Sequence, residues 1–166
     1  VQFEYEGVST SVESLKKLLF DDAISYSWEV HSQNRVGEME AEIIGGNLSL
    51  LADGIGTRNE LETDGKILFI EEIDEYYYKI DRMLTQLKRA DKLNNIAGLI
   101  IGQFSELKDT QIKFGVSLED LVLDKLSTDT PVCFSAPIGH EVPNLAIPCG
   151  RKVQLVIGKT QVNLIG

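Results

Sequence analysis

At 166 residues the chain has the length of one ordinary domain with a full core; 43% hydrophobic and 25% charged residues, with 14 Gly and only 4 Pro, exclude a disordered, collagenous or coiled-coil chain. Sixteen Lys and Arg against 26 Asp and Glu leave a formal charge of −10, a field that repels polyanions and argues against nucleic acid and anionic membranes as partners. No run approaches the roughly 18 to 20 apolar residues of a membrane span, and no basic and then apolar leader opens the chain, so a soluble protein is expected.

Val1 to Tyr5 alternate like a strand, and their start without an initiator Met is the one expected of a processed or cut product. Thr10 followed by Glu13, with Leu15, Leu18 and Leu19 behind them, predicts a capping box and an amphipathic helix over 11–20. SYSWEV at 25–30 and VGEMEAEII at 36–44 flank a polar stretch and predict a hairpin or a pair of neighbouring strands. Gly45 and Gly46 break that pattern, and Asn47 caps a short helix over 48–53 that Gly54 and Gly56 end. KILFI at 66–70, IAGLII at 96–101 and PVCFS at 131–135 are short apolar runs of buried-strand type. Between them Tyr77, Ile80, Met83, Leu84 and Leu87 recur at helical spacing within 75–89, and Ser117 caps a second helix through Leu126. Strand, helix, strand, helix, strand predicts a parallel βαβαβ core with right-handed crossovers. Val153 to Ile157 and Thr160 to Ile165, joined by Gly158 and Lys159, predict a C-terminal antiparallel hairpin. The fold class is α/β with antiparallel additions at both ends of a single domain, 1–166.

Groups that do chemistry in open α/β sheets gather beyond the carboxyl ends of the parallel strands. Two segments meet that rule. After KILFI come Glu71, Glu72, Asp74 and Glu75, expected between the strand's end and the next helix's first turn; carboxylates there also serve simply to complement a helix dipole. After PVCFS comes APIGHEVPNLAIPCG at 136–150, a loop with three Pro and two Gly that carries His140, either a solvent-exposed histidine or a general base. If both strands lie in one sheet, a carboxylate and an imidazole as far apart in sequence as Glu71 and His140 could meet on one edge, and such a pair is two thirds of a Ser-His-acid triad. The nucleophile is missing from this picture. No GxSxG elbow occurs, Ser9 and Ser11 flank a helix cap, and Ser49 lies in a short helix. Cys133 is in mid-strand and Cys149 lacks an activating context; without CxxC spacing the two argue against a disulfide framework or a zinc site and fit reduced thiols of a cytoplasmic-type protein.

GGNLSLL (45–51), GKILFIEEIDEYYYKIDRMLTQL (65–87), GLIIGQF (98–104) and IGHEVPNLAIPCG (138–150) together resemble the LD-carboxypeptidase family, the muramoyltetrapeptide carboxypeptidases, and specifically its C-terminal domain. The resemblance implies a swivelling β/β/α-type fold for this half, and an absent N-terminal, flavodoxin-like half that carries the nucleophilic Ser. Carried over by motif, the family's Glu falls on Glu71 and its His on His140. Where the family has Asp after that Glu this chain has Glu72, and where it has Gly further on this chain has Asp74, which leaves open whether Glu71 or Glu72 faces His140; the motif position assigns Glu71. GGNLSLL and Arg82 are further family-like features that packing explains equally well.

The implied activity is release of terminal D-Ala from murein tetrapeptides in cell-wall recycling, without cofactor or metal. Glu71 and His140 would serve a serine in the partner domain, so this chain alone is expected to be inactive. The resemblance also implies a cytoplasmic enzyme and a homodimer when complete. Two alternatives stand beside it. One is a microcin C immunity-type peptidase of the same family; the other is a non-catalytic binding module, since fold alone does not fix function. Surface normally covered by the absent half predicts an apolar patch near His140.

Overall fold

The computed structural model describes residues 8–20 and 23–166. Its elements run α1 (Val8–Leu19), β1 (Ser25–Glu29), β2 (Gly37–Asn47), α2 (Leu48–Gly54), β3 (Ile67–Ile73), α3 (Tyr77–Arg89), β4 (Gly98–Ser105), α4 (Leu118–Lys125), β5 (Val132–Cys133), β6 (Lys152–Ile157) and β7 (Gln161–Ile165). The strand expected over Val1 to Tyr5 lies outside the described residues.

The continuous apolar runs become central strands because both of their faces are buried. Along β3, Ile67 and Phe69 join Ile43, Ile100 and Leu155 on one face, and Leu68 and Ile70 join Leu48, Ile80 and Leu84 on the other. The second face is closed by α2, α3 and α4. Seven strands form one mixed sheet in the order β1-β7-β6-β2-β3-β4-β5. β2, β3, β4 and β5 are parallel, and β1, β7 and β6 attach in antiparallel fashion. The α/β class, the parallel core and the C-terminal hairpin are as expected.

β2 belongs to both halves. Gly37 to Glu42 pair antiparallel with β6, and Ile43 to Asn47 pair parallel with β3. The strand therefore does not stop at its glycines. Gly45, with φ of 144°, lies so close to β3 that a Cβ would run into the Phe69 carbonyl; the glycine permits close approach rather than ending the strand. Asn47 then caps α2, its side chain accepting from the Leu50 N–H at 3.3 Å.

Three local expectations change. β1 and β2 are neither a hairpin nor neighbours: β1 pairs with β7 at the sheet's edge, and the connector is instead pulled across to β5, where Arg35 and Val132 exchange backbone hydrogen bonds. Among the described residues α1 already runs from Val8, so Thr10 lies inside the helix and not at its cap. The last strand run shortens to Val132–Cys133, because the Phe134 N–H turns to Asn34 Oδ1 at 3.0 Å and Ser135 enters the left-handed region at φ 59°.

Candidate active site

The strand pleat decides the fate of the two glutamates. Both lie within β3 instead of beyond it, buried at 7% and 3% exposure for Glu71 and Glu72. Side chains alternate, so Glu71 follows Ile67 and Phe69 onto the face of the 136–150 loop, and Glu72 follows Leu68 and Ile70 toward α2. Glu71 Oε2 is 2.7 Å from His140 Nδ1. The carboxylate is nearly enclosed and the imidazole stays about half exposed, with side-chain exposures of 10% and 44%. An Nδ1–H directed at the carboxylate fixes the tautomer in which Nε2 carries the lone pair.

Glu72 has a different setting. It accepts from Asn47 Nδ2 (2.7 Å), Ser49 N–H (2.9 Å), Ser49 Oγ (2.6 Å) and its neighbour's Ile73 N–H (3.0 Å). It ties the first turn of α2 to the sheet, where a negative charge also meets the positive end of the helix. The remaining acidic residues of the cluster are ion-paired: Asp74 with Lys108, and Glu75 with Lys79 at 2.9 Å. Burial opposes the Glu75 charge, but the Lys79 ammonium and the Tyr76 N–H outweigh it and hold that carboxyl below its usual range.

A loop without regular structure presents His140, so side chains from elsewhere must hold it. Ser11 and Ser14 of α1 accept the Asn144 and Ala146 N–H groups at 2.8 and 3.0 Å. Tyr26 of β1 donates to the Ala146 carbonyl at 3.0 Å. From the sheet side, the Gln103 carboxamide accepts the Glu141 N–H at 2.8 Å and donates to the Pro143 carbonyl at 3.2 Å. Sequence reasoning found none of these four; the signal available for Gln103 was a glycine, Gly102, inside an otherwise apolar strand run. The ends of β3, β4 and β5 each lead into a non-glycine residue with positive φ, namely Asp74, Glu106 and Ser135, so backbone strain collects on this same edge.

Beside His140 lies an open groove of about 580 Å³ whose apolar wall includes Val12, Leu15, Val142 and Leu145. Leu15 and Val142 are 43% and 52% exposed, which places apolar surface next to the imidazole as expected. Among the described residues no Ser, Thr or Cys side chain hydrogen-bonds the His140 imidazole, and no group of three His, Cys, Asp or Glu side chains is placed to hold a metal ion. Ser49 is engaged with Glu72, and burial pushes both the Cys133 and Cys149 thiols up, away from the thiolate form a nucleophile needs. No described helix is long and apolar enough to cross a membrane.

Residues 40–155 match the family described as LD-carboxypeptidase C-terminal domain. The chain is 39% identical over 145 residues to a probable murein peptide carboxypeptidase of Bacillus subtilis, covering 86% of this chain and 46% of that protein. It therefore spans less than half the length of that curated relative. Its fold superposes on the crystal structure of muramoyltetrapeptide carboxypeptidase from Oxalobacter formigenes with a TM-score of 0.87 at 27% identity, covering 99% of this chain and 56% of that one. The microcin C7 self-immunity protein MccF in complex with aspartyl sulfamoyl adenosine shares the fold at a TM-score of 0.79 and 20% identity, covering 97% of this chain and 56% of that one.

Proposed function

The chain belongs to the LD-carboxypeptidase family as its C-terminal domain, and on that premise we propose that it supplies the acid and the base of a serine peptidase triad whose nucleophile resides in an N-terminal partner domain. The observation that carries this reading is the 2.7 Å contact between Glu71 and His140 at the carboxyl edge of the parallel strands. The serine hydroxyl attacks the carbonyl of the diamino acid's L-centre, to which terminal D-Ala is joined. His140 Nε2 takes the hydroxyl proton and returns it to the departing amine, and Glu71 keeps Nδ1 protonated and stabilises the imidazolium. A water then repeats the cycle on the acyl-enzyme, with His140 again as base.

The substrate in this reading is a murein tetrapeptide and the enzyme is soluble, cytoplasmic and, when complete, a homodimer. The swivelling β/β/α description fits a domain whose site opens toward a partner. No metal or cofactor enters the scheme. The test is an assay of the two-domain enzyme on muropeptide tetrapeptide with D-Ala release as readout, alongside an aminoacyl-nucleotide conjugate. Release of D-Ala that is lost in Glu71→Gln and His140→Ala supports the reading. Preference for the nucleotide conjugate would move the enzyme to the microcin C immunity-type branch, and activity indifferent to both substitutions would leave a binding module.

A further inference from the structure

A break in register lies opposite Glu71. Ile70 of β3 faces Ile101 of β4, and Glu72 faces Phe104, so the single residue Glu71 opposes two, Gly102 and Gln103. This is a β-bulge on β4, and a bulge re-aims the groups of the strand that carries it. The re-aimed backbone is accounted for: the Gln103 N–H leaves the ladder and donates to the Ile138 carbonyl at 2.7 Å, two residues before His140. Both neighbours have the shape that this requires. A Cβ on Gly102 would run into the Ile138 carbonyl and come within 3.2 Å of Glu71 Cβ. A Cβ on Gly139 would come within 2.9 Å of Gln103 Cβ. The chain on both sides is thus stripped to glycine where the bulge and the loop touch.

We propose that Gln103 is a positioning residue for the proton-transfer step, its bulge-mounted carboxamide setting the His140 imidazole against Glu71. The contact is bidentate in the sense the loop needs. Glu141 and Pro143 lie one and three residues after His140; the first presents an N–H and the second a carbonyl. A carboxamide offers an acceptor and a donor on one planar group, which neither a carboxylate nor an aliphatic chain of the same length can do. Backbone and side chain of one residue therefore grip the loop before and after His140, from a strand whose neighbour carries the acid.

The inference rests on the reading of His140 as base, and two separate readouts keep the two apart. In the chain labelled with ¹⁵N-histidine, the His140 Nδ1–H held by Glu71 gives a downfield proton resonance. Gln103→Leu removes both polar atoms; Gln103→Glu keeps the acceptor and loses the donor. The expected order is a sharp resonance in the unsubstituted chain, a weakened one in Gln103→Glu and an exchange-broadened one in Gln103→Leu, with the Leu68 and Ile70 methyl signals unmoved. In the two-domain enzyme Gln103→Leu lowers kcat about 10- to 100-fold, with KM within about threefold, as for a misplaced catalytic group. An unaltered Nδ1–H resonance together with unaltered kcat overturns the inference; if Gln103→Leu does not fold, the same two readouts on Gln103→Glu decide it. Full activity in His140→Ala would sink the triad instead, while the resonance would still report whether Gln103 holds the imidazole.

Discussion

Glu71 and Glu72 share a strand and a functional group, yet under α2 the carboxylate is enclosed by four donors, whereas under the 136–150 loop it meets one imidazole. A carboxylate has about four lone-pair sites. On the α2 face they are spent on backbone and side chains that never need to move. On the loop face, Glu71 has a single partner among the described residues, and that partner is half exposed beside a groove. The difference teaches how, on the proposed reading, one strand separates holding a fold together from doing chemistry: by parity, with neighbouring positions committed to opposite faces.

The comparison is sharpest in activity. In the proposed two-domain enzyme, His140→Ala should lower kcat on the order of a million-fold. Glu71→Gln should lower it about ten-thousand-fold, by favouring the wrong imidazole tautomer, while the melting temperature stays close to that of the unsubstituted protein. Glu72→Gln should do the reverse. Leaving Ser49 and Asn47 donors without a charged acceptor costs about 2–3 kcal/mol, a fall of roughly 5–10 °C in melting temperature for a chain this size, with kcat/KM within about threefold. If Glu72→Gln abolished activity and left stability intact, the division between faces would be broken. Ser49→Ala removes one of Glu72's four donors and should cost about 1 kcal/mol by denaturant titration. The smallest effect belongs to the loop's outer tie: Ser11→Ala frees the Asn144 N–H, and its hydrogen exchange should quicken about fivefold while amides of β3 keep their rates.

Much of this was legible from the residues. Continuous apolar runs named three of the four parallel strands, β3, β4 and β5, and the caps at Asn47 and Ser117 are both used, the latter accepting the Asp120 N–H at 3.1 Å. The end of β3 is not legible in this way, since two adjacent glutamates look like the polar start of a helix. They continue the strand because their charges are met by groups from 23 to 69 positions away, which local pattern does not reveal. Once β3 is extended through them, alternation from Ile67 alone sends Glu71 and Glu72 to opposite faces. The pairing of β1 with β7 was hidden for the same reason, with Ser25 set opposite Ile165 at the far end of the chain. At the site, the motif resemblance singled out Glu71 and His140, but Gln103 lies past the expected strand end at Ile101, and apart from the glycine before it only its side chain's distant partners distinguish it.

The double allegiance of β2 bears on which insertions and deletions the domain tolerates. At Ile43 the strand changes neighbour: its N–H donates to the Arg151 carbonyl at 3.0 Å and its carbonyl accepts the Gly150 N–H at 2.8 Å, while its Cα partner in the parallel ladder is Ile67. One added residue between Ile43 and Asn47 would reverse every side chain beyond it and carry Asn47 and Ser49 away from Glu72. One added residue at the tip of the β6–β7 turn, near Lys159, would lengthen a surface connection and leave that register as it stands. Length variation should therefore accumulate on the antiparallel side of Ile43 and be nearly absent in the few residues that follow it.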